Sequence, residues 1–226
     1  MGQKVNPNGF RLGVIRPWHA RWYADKGYKQ LVHEDLQIRQ AIAGRHINAG
    51  IAEVDIDRSA NNVTVTIHTA RPGIIIGKSG QNVEQLRQLL EQRTGKKVKV
   101  NIIEVRQPDT NAVLVARNIA DQLERRVSFR RAMKQAVQRA MDRGALGVKV
   151  TVAGRLGGAE MSRTETDRRG RVPLQTLRAD VEFGTAEAMT TYGVIGVKVW
   201  VYRGDVLEKQ PAMPVNTEAE PIGAQA

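Results

Sequence analysis

Residues 73–80 read Gly73-Ile74-Ile75-Ile76-Gly77-Lys78-Ser79-Gly80. Gly77 and Gly80 bracket a Lys and a Ser, an apolar triplet precedes them, and an amphipathic helical pattern follows. A Gly-x-x-Gly turn with a cation inside it suits a nucleic-acid backbone, because a side chain at either end would hold the sugar-phosphate chain away from the main chain. The competing reading is a nucleotide-binding loop, which needs Gly, four residues, then Gly-Lys-Ser/Thr. Counting back from Gly77-Lys78-Ser79, the required glycine falls on Pro72, and Gly73 leaves the spacing one residue short. ATP or GTP binding is therefore rejected here, and RNA or DNA is retained.

The flanking pattern gives this loop its context. Leu31, Ile38 and Ile42 form one stripe and predict a helix over 31–47. Residues 51–57 alternate, with Ala52, Val54 and Ile56 against Glu53, Asp55 and Asp57. Residues 62–69 alternate again, with Val63, Val65 and Ile67 opposite Thr64, Thr66 and His68. Arg71-Pro72 opens a short helix ending at Gly77. Val83, Leu86, Leu89 and Leu90 predict a helix closed by Thr94-Gly95, and Val98, Val100 and Ile102 mark a third strand. The order helix, strand, strand, helix, loop, helix, strand is that of a type II KH domain: a three-stranded mixed sheet with helices on one face. Motif and order agree, which is far more specific than Gly-x-x-Gly alone.

Pro108-Asp109-Thr110-Asn111 breaks the pattern with helix-capping residues. Beyond it, Ala116, Ala120, Leu123 and Val127 line one helix, and Met133, Ala136, Val137 and Ala140 line another. Strand-like runs follow at Val148–Val152, Arg163–Arg171, Ala179–Phe183 and Ile195–Val201. Two helices and about four strands predict a two-layer domain, so the fold class is α+β. The expected organisation is a basic N-terminal arm over 1–30 packing on the body, a KH domain over 31–108, a second α+β domain over 109–204, and a flexible tail over 205–226. The arm's aromatics, Phe10, Trp18, Trp22, Tyr23 and Tyr28, are expected to anchor it to its own domain.

Composition names the class of partner. The 226 residues carry a formal charge of +12 and an isoelectric point near 10.4, which calls for a polyanion. Residues 1–29 hold six cations against one anion, residues 117–143 hold eight against three, and the tail from 205 holds one against four. With no cysteine, disulfides are excluded and a structural zinc site is not expected. The N-terminal stretch lacks the apolar core of a signal peptide, and no apolar run is long enough to span a membrane. A cytoplasmic protein without cofactor, metal or membrane partner is expected.

At 100° per residue, Arg130, Arg131, Lys134 and Gln138 fall within an arc of about 100°. No Asp or Glu occurs between Arg125 and Met141, so none of the arc's three cations has an acidic partner at i±3 or i±4. Unpaired like charges cost an isolated helix a few tenths of a kcal/mol per pair, and a bound polyanion offsets that cost. Gly154-Arg155-Leu156-Gly157-Gly158 and Arg168-Arg169-Gly170-Arg171 flank a hairpin and combine close backbone approach with phosphate-pairing arginines. His19, His33, His46 and His68 are scattered, and no hydrolase or metalloprotease motif is present, so no catalytic residue is assigned.

Five stretches carry a resemblance. They are Gly2–Gly13, Ile67–Gly73, Phe129–Lys134, Ala153–Glu160 and Thr191–Trp200. Together, over residues 2 to about 205, they resemble the bacterial small-subunit ribosomal protein S-three family. The resemblance implies a protein of the small-subunit head, in the ribosome of the cytoplasm, binding ribosomal RNA and lining the channel by which messenger RNA enters. It implies ribosomal proteins S-four, S-five, S-ten and S-fourteen as neighbours and no enzymatic activity. It maps the messenger-facing cations onto Arg130, Arg131 and Lys134. Arg71 and Gly77, Lys78, Ser79 and Gly80 are then candidate RNA contacts of the KH loop. Lys4, Arg11, Arg155, Arg163, Arg168, Arg169 and Arg171 are candidate ribosomal RNA contacts. The chain departs from the family's usual aromatic at Thr166 and usual histidine at Gln175. A free-standing KH regulator of RNA is the alternative, and it leaves the basic helix and second domain unexplained.

Overall fold

The computed structural model describes residues 3–59 and 62–206. The expected tail therefore lies almost entirely outside the described residues. The N-terminal arm is not irregular. A one-turn helix α1 (Pro7–Phe10) is capped by the Asn6 side chain, and a two-residue strand β1 (Ala20–Arg21) follows. Helix α2 (Tyr28–Arg45) starts from Gly27 in the left-handed conformation and buries Ile38 and Ile42. It begins three residues before the apolar stripe, because polar first-turn residues leave no periodic signal.

Strands β2 (Ile51–Arg58) and β3 (Asn62–Thr69) pair antiparallel, and β4 (Lys97–Glu104) pairs parallel to β3. Their alternating burial follows the sequence alternation. The arm's β1 adds in parallel to the β2 edge, giving four strands in the order β1-β2-β3-β4 where sequence pattern gave three. Between β3 and β4 lie α3 (Pro72–Ile76) and α4 (Gln81–Thr94), the latter ended by Gly95 at φ 64°. Ile38, Ile42, Ile56, Ile67, Ile75, Leu86 and Leu90 close one core between this sheet and its helices. Each such fully buried side chain contributes about 1.5–3 kcal/mol by leaving water.

The second unit opens with α5 (Ala112–Glu124). The Asn111 side chain accepts from the Val113 and Leu114 N–H groups at 3.1 Å each, satisfying two donors that a helix start leaves free. Helix α6 (Phe129–Asp142) buries Ala132, Met133, Val137 and Ala140. Four antiparallel strands follow: β5 (Gly147–Gly154), β6 (Arg163–Gly170), β7 (Ala179–Thr190) and β8 (Gly193–Asp205), ordered β6-β5-β8-β7. Val148, Val150 and Val152 from β5 and Val197, Val199 and Val201 from β8 point at the two helices and form a second core. Helix α5 lies so close over β7 that a Cβ at Gly184 would stand 2.5 Å from the Ala112–Val113 backbone.

The arm ties the two units together. The Asn8 side chain both accepts from the Phe183 N–H and donates to the Phe183 carbonyl on β7. Arg16 pairs with Asp180 at 2.8 Å. Further along, Trp22 donates to Asp35 on α2 at 2.8 Å and Arg21 pairs with Asp57 on β2. Of the arm's aromatics, Trp22 is anchored to α2, whereas Phe10, Trp18, Tyr23 and Tyr28 are exposed.

Candidate nucleic-acid interface

The Gly77–Gly80 loop follows α3 and is built by backbone conformations that favour glycine. Gly77 has φ 71° and ψ −174°, Ser79 has φ 53° and Gly80 has φ 78°. Helix α3 ends on its bond from the Gly77 N–H to the Gly73 carbonyl. The Asn82 side chain reaches back from α4 to the Ile74 carbonyl at 3.2 Å and braces the loop from below. A Cβ at Gly77 would stand 2.5 Å from that Asn82 side chain. Lys78 and Ser79 are exposed above this frame, and Arg71 is exposed at the start of α3. Replacing Gly77 with Ala is expected to cost about 1–3 kcal/mol, from the disfavoured backbone and the displaced Asn82. Equilibrium unfolding of Gly77→Ala measures it. An unchanged midpoint would mean that the loop tolerates any side chain there.

On α6, the buried stripe leaves Arg130, Arg131, Lys134 and Gln138 on the outer face, all exposed. Among the described residues, no carboxylate lies within ion-pair distance of Arg130, Arg131 or Lys134. These residues line one shallow groove with Ser128, Gln135 and Arg169, the last contributed by β6. Arg169 donates to the Gln138 side chain, so strand and helix form a continuous surface. At the N-terminal end of α6, the Phe129 ring has the Arg130 and Arg163 guanidinium carbons 5.6 and 5.5 Å from its centroid. Cation–aromatic contact holds both arginines in place without neutralising them. Arg163 also pairs with Glu165 at 3.3 Å.

The other expected RNA contacts divide. Arg11 is a correction: it is fully buried rather than surface-facing. Its Nε donates to Ala179 O at 2.6 Å, its Nη1 to Pro7 O at 3.1 Å, and its Nη2 to the carbonyls of Pro173, Leu174 and Thr176 at 3.0–3.2 Å. Burial, and next the nearby Arg16, pull its pKa down from the ordinary arginine range. A guanidinium buried among five carbonyls of its own chain is out of reach of phosphate. Arg155 is exposed but held in its turn by Ala159 O at 2.9 Å. Arg171 stacks 5.7 Å from the Tyr202 ring centroid. Arg168 and Arg169 are adjacent in sequence, but strand alternation sends them to opposite faces of the sheet. Arg169 pairs with Val148, which faces the helices, whereas Arg168 pairs with Lys149, which faces away.

Lys149 and Lys198 join Arg168 on that outward face and were missed by sequence reasoning. The signal existed: both alternate with core valines in Val148–Val152 and Val197–Val201. His19 and His68 also come together, 2.9 and 3.5 Å from Asp55 on the KH sheet, in a half-exposed cluster joining arm to β2. Among the described residues no group of His, Asp and Glu is arranged to hold a metal ion. No helix there is long and apolar enough to cross a membrane.

Comparison with known proteins covers both units. Residues 37–110 match the KH domain family, and residues 119–201 match the family described as ribosomal protein S3, C-terminal domain. The chain is 58% identical over 207 residues to the small ribosomal subunit protein uS3 of Desulfitobacterium hafniense, covering 92% of this chain and 94% of that protein. It is 59% identical over 207 residues to the protein of the same name from Bacillus cytotoxicus, with the same coverage. The Lactobacillus acidophilus protein is 55% identical over 220 residues, 97% of this chain and 98% of its own length.

Proposed function

The chain belongs to the small ribosomal subunit protein uS3 family, and from that premise we propose that it is a structural constituent of the small-subunit head that binds ribosomal RNA and grips incoming messenger RNA. The observation that carries the messenger reading is the α6 groove. Arg130, Arg131 and Lys134 are exposed, close-set and without carboxylate partners, and Arg169 extends them onto β6. A groove of this kind holds a phosphate backbone electrostatically, with no dependence on base sequence. Messenger moving past must pass every sequence, so a sequence-blind grip is what the task requires. Holding one strand of a hairpin at such a surface opposes re-pairing, and this is how the groove would assist unwinding.

The KH loop is proposed as a second backbone clamp, with Lys78 supplying charge, Gly77 and Gly80 allowing close approach, and Arg71 beside them. In the same reading, Lys4, Arg155, Arg163, Arg168 and Arg171 contact ribosomal RNA. Ribosomal proteins S-four, S-five, S-ten and S-fourteen are neighbours in the cytoplasmic ribosome. No enzymatic step is proposed.

The test replaces the helix cations together: Arg130→Ala, Arg131→Ala and Lys134→Ala. All three are solvent-facing, so the variant should fold and sediment with small subunits as the wild type does. Elongation through a stable messenger hairpin should slow several-fold, while elongation on unstructured messenger changes little. Equal rates on the hairpin would remove the messenger role. A wild-type chain absent from small subunits would remove the ribosomal one.

A further inference from the structure

The C-terminal sheet is covered by α5 and α6 on one face only. Its other face collects charge from four separate segments. Lys149 on β5 pairs directly with Arg168 on β6 and with Trp200 on β8, and Thr151 pairs with Thr166 and Lys198. Lys149, Thr151, Lys198 and Trp200 alternate with core valines, and Arg168 and Thr166 pair directly across from Lys149 and Thr151, so all point away from the helices. Lys4 comes in from the arm against Lys149. The Lys149 ammonium lies 5.1 Å from the Trp200 ring centroid, and the Phe183 ring stands 5.1 Å from Trp200 on the same side. Burial, then Lys4 and Arg168, push the Lys149 pKa down.

Among the described residues, none of Lys4, Lys149, Arg168 and Lys198 has a carboxylate within ion-pair distance. Among the β7 residues facing this side from Phe183 to Met189, Glu187 is the one carboxylate, and it lies opposite Gly196 rather than Lys198. Four like charges drawn together without a counter-charge raise the free energy of the bare protein. The surface between them is hydroxyl-rich, with Thr151 and Thr166 bonded at 3.0 Å. The apolar side chains of the same face, Val181 and Tyr202 with Trp200, are already packed by Val172 and Leu174 of this chain.

We infer that this helix-free face is an RNA-backbone site distinct from the α6 groove, with Lys4, Lys149, Arg168 and Lys198 holding successive phosphates of ribosomal RNA. The inference rests on the ribosomal RNA reading above and assigns it a surface. It also gives adjacent residues separate duties. Arg169 serves the groove and Arg168 the opposite face, so the edge strand β6 stands between two RNA surfaces.

The test uses the full chain and protein-free small-subunit ribosomal RNA, with binding measured over a series of salt concentrations. The variant carries Lys149→Glu, Arg168→Glu and Lys198→Glu. Affinity should fall at least about tenfold, and the slope of log affinity against log salt should shrink by about 2–3, roughly one per lost phosphate contact. Lys198→Glu alone, at an exposed strand position, should melt like wild type and reduce the slope by about 1. Unchanged affinity and slope in both variants, with wild type binding, would overturn the inference. RNA binding intact but subunit association lost would overturn it in favour of an acidic protein partner. Failure of the wild type to bind would instead sink the ribosomal RNA reading beneath it.

Discussion

Arg11→Ala should destabilise the full chain by about 3–5 kcal/mol and loosen the arm from the C-terminal sheet. The Arg11 side chain is fully buried and donates five hydrogen bonds to carbonyls of the arm, the 173–176 segment and β7. Truncation leaves several of those carbonyls facing an empty, dry site, and each unsatisfied buried group costs about 1–3 kcal/mol. Water entry would relieve only part of that. Arg11→Lys should recover little, because an ammonium has three donors on a single nitrogen and cannot span carbonyls arranged for a planar fork. Chemical denaturation reads the stability, and limited proteolysis between Pro173 and Arg178 reads the loosening. A midpoint within 1 kcal/mol of wild type would show that the clamp is dispensable.

Glu182→Ala should cost about 2–4 kcal/mol, and its effect should be localised at the start of α5. Glu182 lies on β7 with its side chain buried beneath the α5 N-terminus. One carboxylate oxygen accepts from Asn111 Nδ2 at 2.6 Å. The other accepts from the Ala112 N–H at 3.1 Å and from Arg203 Nη2 at 2.5 Å. Burial pushes its carboxyl up, while Arg203 and then the Ala112 N–H pull it back toward the ionised form. A negative group here also meets the positive end of the helix dipole. Removal strands a buried Asn amide and a backbone N–H, whereas Arg203, partly exposed, can turn to water. Glu182→Gln keeps the volume and one acceptor oxygen and should lose about half as much. Amide hydrogen exchange at Ala112–Val115 should accelerate in Glu182→Ala more than elsewhere. Uniform acceleration across both units would refute the local capping role.

Both residues illustrate where sequence reading stops. The periodicities of β2, β3, α4 and α6 were legible because each element buries one face, and burial of one face forces a period of 2 or 3.6. The helix arc of Arg130, Arg131 and Lys134 was legible for the same reason: local geometry alone sets it to one side of the apolar stripe of Met133 and Val137. The Gly77–Gly80 loop announced itself through residue types, and the positive φ at Gly77, Ser79 and Gly80 gives those types their physical cause. Arg11 was misread because charge predicts exposure, and nothing local tells an arginine that carbonyls 162–168 residues away will surround it. Strand β1 was missed because two residues carry no period.

The sequence alone determined that this chain has two α+β units, that one carries a Gly-x-x-Gly turn whose spacing does not fit a nucleotide loop, and that one face of a helix is cationic without compensation. These follow from local rules: glycine at special φ, alternation, helical spacing and net charge. Tertiary structure alone decided which cations are free to act. It buried Arg11 as a clamp, set Arg169 beside the α6 cations, and turned Arg168 to the opposite face with Lys149 and Lys198. The physical reason is that a charge's role depends on what surrounds it, and those surroundings come from strands and segments that sequence order does not place side by side.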